Sequence, residues 1–137
     1  MHDKIVLDSC IVAAIFFPET ITGKAIDAAA DHTCITVDLA YTEVANAAWK
    51  RAVHAGNDPG TAKTFLDNAI SFIRETCEVI PAHDLITPAW ALSCQYRITI
   101  YDALFVAASI LNNAPLVTAD KRLASAVIKT CPVIRIE

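Results

Sequence analysis

The chain has 137 residues, of which 55% are hydrophobic and 19% are charged, and it contains only three glycines. This length and composition fit one ordered domain with a real core and exclude a disordered or low-complexity protein. The formal net charge of −4 argues against a passive nucleic-acid binder, so a polyanionic ligand would need a local basic patch or a bound metal. The hydrophobic excess indicates that some surface is covered by an oligomer or a partner.

No apolar run approaches the roughly 18 residues that span a membrane, so no membrane association is expected. The N-terminal residues lead straight into a strand-like run, which argues against a signal peptide. An odd number of cysteines without a C-x-x-C pair is typical of reduced thiols in a cytoplasmic protein. The five are Cys10, Cys34, Cys77, Cys94 and Cys131. The four histidines also lack the spacing of a metal site; they are His2, His32, His54 and His83.

The chain is predicted to begin with a strand, two helices and a second strand. Lys4–Leu7 is a short apolar run of the kind found in central parallel strands. A buried helix is expected over residues 10–17, where Pro18 stops it, and an amphipathic helix over residues 20–30 or 22–30. The β-branched run Thr33–Val37 is typical of a strand.

A pair of long antiparallel helices follows this strand. Asp38 is a suitable N-cap for a helix over residues 39–55, which Gly56 would close. Pro59, after Asn57 and Asp58, fits the first position of a second helix that continues to about residue 75. The short turn between them predicts an αα-hairpin.

The second half of the chain is predicted to alternate strands and helices. Thr87 and Pro88 fit the N-cap and first position of a helix. After Asp102, residues 103–111 are almost all apolar, as in a buried helix. The expected elements are strands over residues 78–80, 115–118 and 133–136, and helices over residues 88–97, 101–111 and 120–129.

Strands separated by helices pair in parallel through right-handed crossovers. We therefore expect an α/β fold, a three-layer α/β/α sandwich around a parallel sheet of four to five strands, with the last strand at an edge. No linker, repeat or second domain is apparent, so residues 1–137 are predicted to form one domain.

Four carboxylates are expected at one edge of this sheet, because ligands of open α/β sheets bind outside the carboxyl ends of the strands. Asp8 closes the first strand and Asp120 follows the fourth by two residues. Glu43 lies in the first turn or so of the helix after the second strand, and Asp102 starts the helix that leads into the fourth. Each has a simpler interpretation: Asp8 and Asp120 as helix caps, Glu43 as a solvated acid, and Asp102 as part of a capping box that begins at Thr99. Because clustered acids repel one another, the four together favour a cation site.

Oxygen ligands without well-placed His or Cys select Mg²⁺ or Mn²⁺. Carboxylate-bound Mg²⁺ keeps several waters and commonly meets its substrate through phosphate oxygens. This chemistry suits phosphodiester hydrolysis, in which the metal lowers the pKa of a bound water. No Ser-His-Asp or Cys-His arrangement for nucleophilic catalysis is evident in the sequence.

Four segments resemble the four acidic motifs of PIN domains, in the order and spacing of the VapC-type toxins of toxin–antitoxin pairs. They are residues 6–9 (VLDS), 41–46 (YTEVAN), 100–108 (IYDALFVAA) and 116–120 (LVTAD). The resemblance covers essentially the whole chain, and the third motif is the most specific of the four.

The resemblance implies a PIN-like nuclease domain that is a Mg²⁺- or Mn²⁺-dependent endoribonuclease with RNA as its substrate. It also implies inhibition by a small VapB-like antitoxin whose C-terminal segment wraps the toxin, and a homodimer, which the hydrophobic surplus supports. Asp8, Glu43, Asp102 and Asp120 would be the catalytic, metal-binding acids. Thr118 would support them from the end of the fourth strand.

The chain departs from the family at one position beside the first acid. PIN domains often have Ser or Asn two residues after this Asp, and here that residue is Cys10. A thiol is a weaker hydrogen-bonding group than a hydroxyl or an amide. Weaker support of Asp8 is therefore expected, whereas the metal site itself is not affected.

Several basic residues near the predicted rim are candidates to guide RNA, although each could equally be a solvated surface charge. They are Lys50, Arg51, Arg97, Lys121 and Arg122. Trp49 and Trp90 are interpreted as core or interface residues rather than base-stacking platforms.

Two other functions remain open. The first is a catalytically degenerate PIN scaffold that acts as a protein-interaction module, against which the presence of all four acids counts. The second is a receiver-like or phosphatase-like phosphate enzyme, which the absence of a D-x-D motif after the first strand disfavours.

Overall fold

The structure is a computed structural model that describes residues 3–137. Met1 and His2 lie outside the described residues, and with them the start of the segment that argues against a signal peptide and one of the four histidines. Along the described part of the chain, no helix is both long enough and apolar enough to cross a membrane.

The described strands form one parallel sheet in the order β3-β2-β1-β4-β5. They are β1 (Lys4–Leu7), β2 (Thr33–Val37), β3 (Glu78–Ile80), β4 (Leu116–Thr118) and β5 (Val133–Arg135). The central strands are apolar along their length because both faces of a parallel sheet are covered by helices. The prediction of a parallel sheet of four to five strands is confirmed, and the last strand lies at an edge.

Two layers of helices enclose this sheet. The helices are α1 (Ser9–Phe16), α2 (Thr22–Ala29), α3 (Leu39–Val53), α4 (Pro59–Thr76), α5 (Ile86–Tyr96), α6 (Ile100–Asn112) and α7 (Lys121–Val127), with a short 3₁₀ helix at Ala82–Leu85. In one layer α1 contacts α2, α3 and α4, and in the other α5 packs against α6. The predicted three-layer α/β/α architecture is therefore confirmed.

Helix α6 is the buried helix of the second layer. Residues 103–109 are all buried, and the helix packs against β1, β2 and β4. This explains why its side chains are apolar in every direction. The prediction does not hold for the last turn, where Ile110 and Leu111 are 41% and 62% exposed.

One predicted side-chain cap and one predicted helix start are wrong. Asp38 does not cap α3 with its side chain; instead its Oδ1 accepts the backbone N–H of Ala82 at 2.8 Å, which ties the end of β2 to the 3₁₀ helix. Thr87 and Pro88 do not open α5, because the 3₁₀ helix runs directly into it and the helix begins at Ile86. Helix α3 nevertheless begins at Leu39 as predicted, whereas the preceding 3₁₀ helix determines where α5 begins.

Candidate active site

The site lies at the carboxyl end of the sheet, between β1 and β4. From β1, the chain adds β2 and β3 on one side and β4 and β5 on the other, so its connections diverge at this point. Such a switch point leaves a crevice outside the strand ends where ligands of open α/β sheets bind. Asp8 directly follows β1, and Thr118 is the last residue of β4.

Asp8 is the buried centre of this crevice, with 5% of its surface exposed. Thr118 Oγ1 donates a hydrogen bond to Asp8 Oδ2 at 2.7 Å, and Cys10 Sγ donates to the same oxygen at 3.3 Å. Thr118 Oγ1 in turn accepts the backbone N–H of Asp120 at 3.1 Å. One buried hydroxyl therefore fixes the first acid and the backbone of the fourth.

Cys10 stands where many PIN domains have Ser or Asn. Its sulfur donates to Asp8, lies 3.7 Å from Thr118 Oγ1 and accepts the backbone N–H of Ala119 at 3.5 Å. Burial, together with the charge of Asp8, raises the pKa of the Cys10 thiol to about 12, so the thiol stays protonated and can donate. Asp8 thus keeps hydrogen-bond support from Cys10, through a longer bond than the one from Thr118.

Glu43 reaches the site from α3, where it lies just past the first turn. Ser9 Oγ donates a hydrogen bond to Glu43 Oε1 at 2.8 Å. Ser9 is the first residue of α1 and follows Asp8 directly, so one short segment positions two acids. Sequence reasoning does not identify Ser9, because its partner lies 34 residues further along the chain and only its place beside Asp8 marks it.

Asp102 and Asp120 both lie where helices begin. Thr99 caps α6, since its Oγ1 accepts the backbone N–H of Asp102 at 3.1 Å. Asp120 caps α7 through Oδ1, which accepts the backbone N–H of Leu123 at 3.0 Å. The capping interpretation is therefore correct for Asp120. Capping alone does not explain why Asp120 also lies close enough to Asp8 and Asp102 to affect their pKa values.

The four carboxylates lie close enough to affect one another electrostatically. Burial is the largest cause of the raised pKa of Asp8, Glu43 and Asp102, and hydrogen bonds from neighbouring groups oppose it. The charge of Asp8 further raises the pKa of Glu43 and Asp102, and that of Asp120 raises those of Asp8 and Asp102. Within residues 3–137, no Lys, Arg or His forms an ion pair with any of the four. The cluster therefore has the negative charge of a cation site without a basic partner.

Comparison with known proteins identifies the family of the chain. Residues 5–129 match the PIN domain family. The chain belongs to the PIN domain family. It is 31% identical over 122 residues to Ribonuclease VapC3 of Pyrobaculum aerophilum, with 88% of this chain and 92% of that protein covered. The resemblance indicated by the four acidic motifs is confirmed.

Solved structures of lower identity share the PIN fold. The VapBC2 structure from Rickettsia felis, bound to a DNA fragment from its promoter, matches with a TM-score of 0.68 at 17% identity and covers 98% of this chain and 99% of its own. A toxin–antitoxin complex from Klebsiella pneumoniae matches with a TM-score of 0.65 at 18% identity, and 95% of each chain is covered. At these identities the likeness shows the fold.

The donor set of this PIN domain suits a hydrated divalent cation. In the described part of the chain, no three His, Cys, Asp or Glu side chains converge in a group that could hold a metal ion. The carboxylates affect one another's pKa without converging in such a group, and all their donor atoms are oxygens. Mg²⁺ commonly binds through one or two carboxylates and keeps several waters. The residues therefore fit an ion held partly through water better than an ion enclosed by protein ligands.

The structure separates the basic residues that were candidates to guide RNA. Arg51 donates to Glu19 at 2.7 Å and lies 5.1 Å from the centre of the Phe17 ring, so it holds α3 to the connection between α1 and α2 rather than facing the site. Lys50 lines a cavity beside Glu43, and Arg97 and Arg122 line another beside Asp102 and Asp120. Lys121 lies on the surface at the start of α7.

The two tryptophans are not core residues. Trp49 and Trp90 are 51% and 67% exposed, so the core part of that prediction is wrong. Trp49 lines an apolar cavity between α3 and α4. Their exposure is consistent with the interface alternative.

Proposed function

We propose that residues 1–137 form one PIN nuclease domain that is a Mg²⁺- or Mn²⁺-dependent endoribonuclease, the toxin of a VapBC-type toxin–antitoxin pair. Asp8, Glu43, Asp102 and Asp120 are its proposed catalytic and metal-binding acids, with Thr118 as their support. The name of the similar VapC3 protein, a ribonuclease, supports this activity.

The observation that carries the proposal is the group of acids without a basic partner at the switch point of the sheet. Three of them have raised pKa values because they are buried near one another. Gathering carboxylates in this way opposes folding unless a cation compensates their charge. A phosphodiester is the substrate class that a carboxylate-held Mg²⁺ commonly contacts through its oxygens.

The protein contributes fixed positions for these acids. A divalent ion, when bound, supplies a water of lowered pKa and neutralises charge on the phosphate. Thr118 holds Asp8 by its short hydrogen bond, Ser9 holds Glu43, and the Thr99 cap fixes the first turn that carries Asp102. Groups held in advance need no reorganisation as charge develops in the reaction.

The proposed partners are a small antitoxin and a second copy of the chain. Two toxin–antitoxin structures share the fold, and exposed apolar side chains are available for protein contacts. One such surface is the cavity along α5 and α6, which is lined by Pro88, Leu92, Ile110 and Leu111 among others. The proposed location is the cytoplasm, where RNA is found and where the five free thiols would remain reduced.

The test is cleavage of a labelled single-stranded RNA by purified protein in Mg²⁺ or Mn²⁺, with and without excess chelator. Wild type is expected to cleave only with the metal, and Asp8→Asn and Asp102→Asn are expected to lose activity while keeping the wild-type circular dichroism spectrum. Asp67→Asn is the matched control, because Asp67 is a surface acid paired with Lys63 on α4. Unchanged cleavage in both site variants would refute the assignment. Absence of both cleavage and metal binding in wild type would favour the degenerate scaffold.

A further inference from the structure

Two cavities flank the acid cluster, one on each side of the start of α6. The first, of about 480 Å³, lies between α1 and α3 and is lined by Glu43, Lys50 and Tyr101 among others. The second, of about 390 Å³, lies between the α5–α6 connection and α7 and is lined by Asp102 and Asp120. Tyr101 and Asp102 are neighbours in sequence, and successive helix residues point in different directions. The first turn of α6 therefore forms a ridge between the cavities.

The first cavity has the chemistry of a nucleobase site. Its walls include the apolar side chains of Ala13, Leu39 and Ala47. Tyr101 is 57% exposed at its edge, so its ring has a free face. Bases stack on such aromatic faces with little sequence preference, and a nearby lysine such as Lys50 can meet the adjoining phosphate.

The second cavity has the chemistry of a phosphate site. Arg97 and Arg122 line it beside Asp102 and Asp120. Neither arginine forms an ion pair within the described residues 3–137, although two carboxylates line the same cavity. Guanidinium groups match phosphate oxygens in a two-pronged geometry, which makes them suited to the backbone of a nucleic acid.

The backbone of Arg97 is a second observation in favour of a role for its side chain. Arg97 ends α5 in the left-handed region, with φ 54° and ψ 42°. Glycine is the usual residue there because any Cβ is crowded in this conformation. Strained positions of this kind concentrate at functional sites. Replacing Arg97 with glycine would relieve the backbone strain and also remove the guanidinium. Stability should then not fall, whereas phosphate binding should, so a structural role and a binding role of Arg97 predict different results.

We propose that a single strand of RNA crosses the first turn of α6, with a base on one side of the cleaved bond stacked on Tyr101 and a phosphate on the other side bound by Arg97 and Arg122. This inference rests on the proposed ribonuclease function and assigns its substrate path. Stacking on Tyr101 requires an unpaired base, so single-stranded RNA is preferred over a duplex.

The test measures binding of a short fluorescein-labelled RNA of mixed sequence, single-stranded or annealed to its complement, over a range of salt. An Asp8→Asn background prevents cleavage. Tyr101→Ala is expected to weaken single-strand binding about tenfold without changing the salt slope, while Tyr101→Phe binds like the parent. Arg97→Gly and Arg122→Ala are each expected to reduce the slope of log affinity against log salt by about 0.7. The melting temperature of Arg97→Gly is also expected to be no lower than that of the parent.

Two controls match these variants outside the cavities. Trp90→Ala removes an aromatic side chain that is 67% exposed, and Arg74→Ala removes an arginine paired with Glu75; both are expected to bind like the parent. Wild-type cleavage of the same RNA, measured in parallel, tests the proposed function separately. If wild type cleaves but the Tyr101, Arg97 and Arg122 variants bind like the controls, the inference fails and the function stands. Equal affinity for the duplex would also contradict it.

Discussion

The inner and outer parts of the acid cluster are built differently. Asp8 is buried at the end of β1, and hydrogen bonds from both Thr118 and Cys10 hold it. Glu43 and Asp102 are half-buried near the starts of helices and have fewer such bonds. The inner group also joins the ends of β1 and β4, so it serves the fold as well as the site. Burial raises the pKa of all three carboxyls, so the charge of each opposes folding, and the outer acids Glu43 and Asp102 have fewer hydrogen bonds to offset this cost.

The largest expected effect comes from the outer acids. Glu43→Gln and Asp102→Asn should each reduce RNA cleavage by about 10²–10³-fold, because each removes a charged oxygen donor of the proposed metal. Each should leave the melting temperature of the metal-free protein unchanged or higher. The reason is that each substitution puts a neutral amide in place of a carboxylate whose pKa is raised by burial and neighbouring charges. Cleavage rates and calorimetric melting on the same samples check both parts. A large fall in melting temperature would show that the outer acids support the fold.

Substitutions in the inner part should instead lower stability as well as cleavage. Thr118→Val removes the donor to Asp8 and should lower the free energy of unfolding by about 1–3 kcal/mol. It should also reduce cleavage by about 10–100-fold, as loss of a group that orients a metal ligand commonly does.

Thr36→Val is the matched control for this prediction. Thr36 is fully buried on the neighbouring strand β2 and donates to the carbonyl oxygen of Leu7 at 2.9 Å. Its loss should cost about 1 kcal/mol of stability and leave cleavage near the wild-type rate. Denaturant titration and cleavage assays separate the two valine variants, and equal activity in both would argue against a positioning role for Thr118.

Stability of the metal-free protein should depend on pH through the same carboxylates. Burial and neighbouring charges raise the pKa values of Asp8, Glu43 and Asp102 on folding. The folded state then holds these protons more tightly than the unfolded chain. This contribution is therefore complete below about pH 4 and is lost as the pH rises through the raised pKa values.

The melting temperature in chelator should accordingly show the loss of this contribution as the pH rises above the ordinary carboxyl pKa of about 4, and the dependence should be weaker in Glu43→Gln. Asp67→Asn controls for removal of a surface carboxylate and its charge. Adding Mn²⁺ at neutral pH should raise the melting temperature, because a ligand that binds only the folded state stabilises it. The same pH dependence in Glu43→Gln and wild type would count against this electrostatic account.

The smallest expected effect is at Cys10. Cys10→Ser keeps a donor for Asp8 and should change the cleavage rate by less than about threefold, whereas Cys10→Ala removes it and should cost about tenfold. At neutral pH, iodoacetamide should modify the exposed Cys94 and leave Cys10 unmodified, since the pKa of Cys10 is raised to about 12. Mass spectrometry of the labelled protein checks this, and rapid modification of Cys10 would contradict its partly buried, protonated state.

Sequence patterns predict the elements that depend on local chemistry. The bounds of β1, β2 and β3 match the predicted runs. Pro59 begins α4 after Asp58, whose side chain accepts the backbone N–H of Thr61. These features depend on residues only a few positions apart, and their physical causes are visible in the sequence.

Features that depend on distant contacts are not predictable in this way. Asp38 has the local sequence of a cap but bonds to Ala82, which lies 44 residues away. Ser9 reaches Glu43 across 34 residues, and Arg51 is held by Glu19 across 32. The acids themselves were predictable because strand ends and helix starts place them by topology. The contacts of the side chains that orient or flank the acids, such as Ser9, depend on how distant parts of the chain pack together.

The most direct test of the central claim is Mn²⁺ binding by isothermal titration calorimetry to wild type and Asp102→Asn, with Asp67→Asn as the control. The acid cluster predicts binding by wild type and by Asp67→Asn, and an affinity at least about tenfold lower for Asp102→Asn. Equal affinity in all three proteins, or no binding to wild type, would contradict the assignment of this sheet edge as a divalent-metal site.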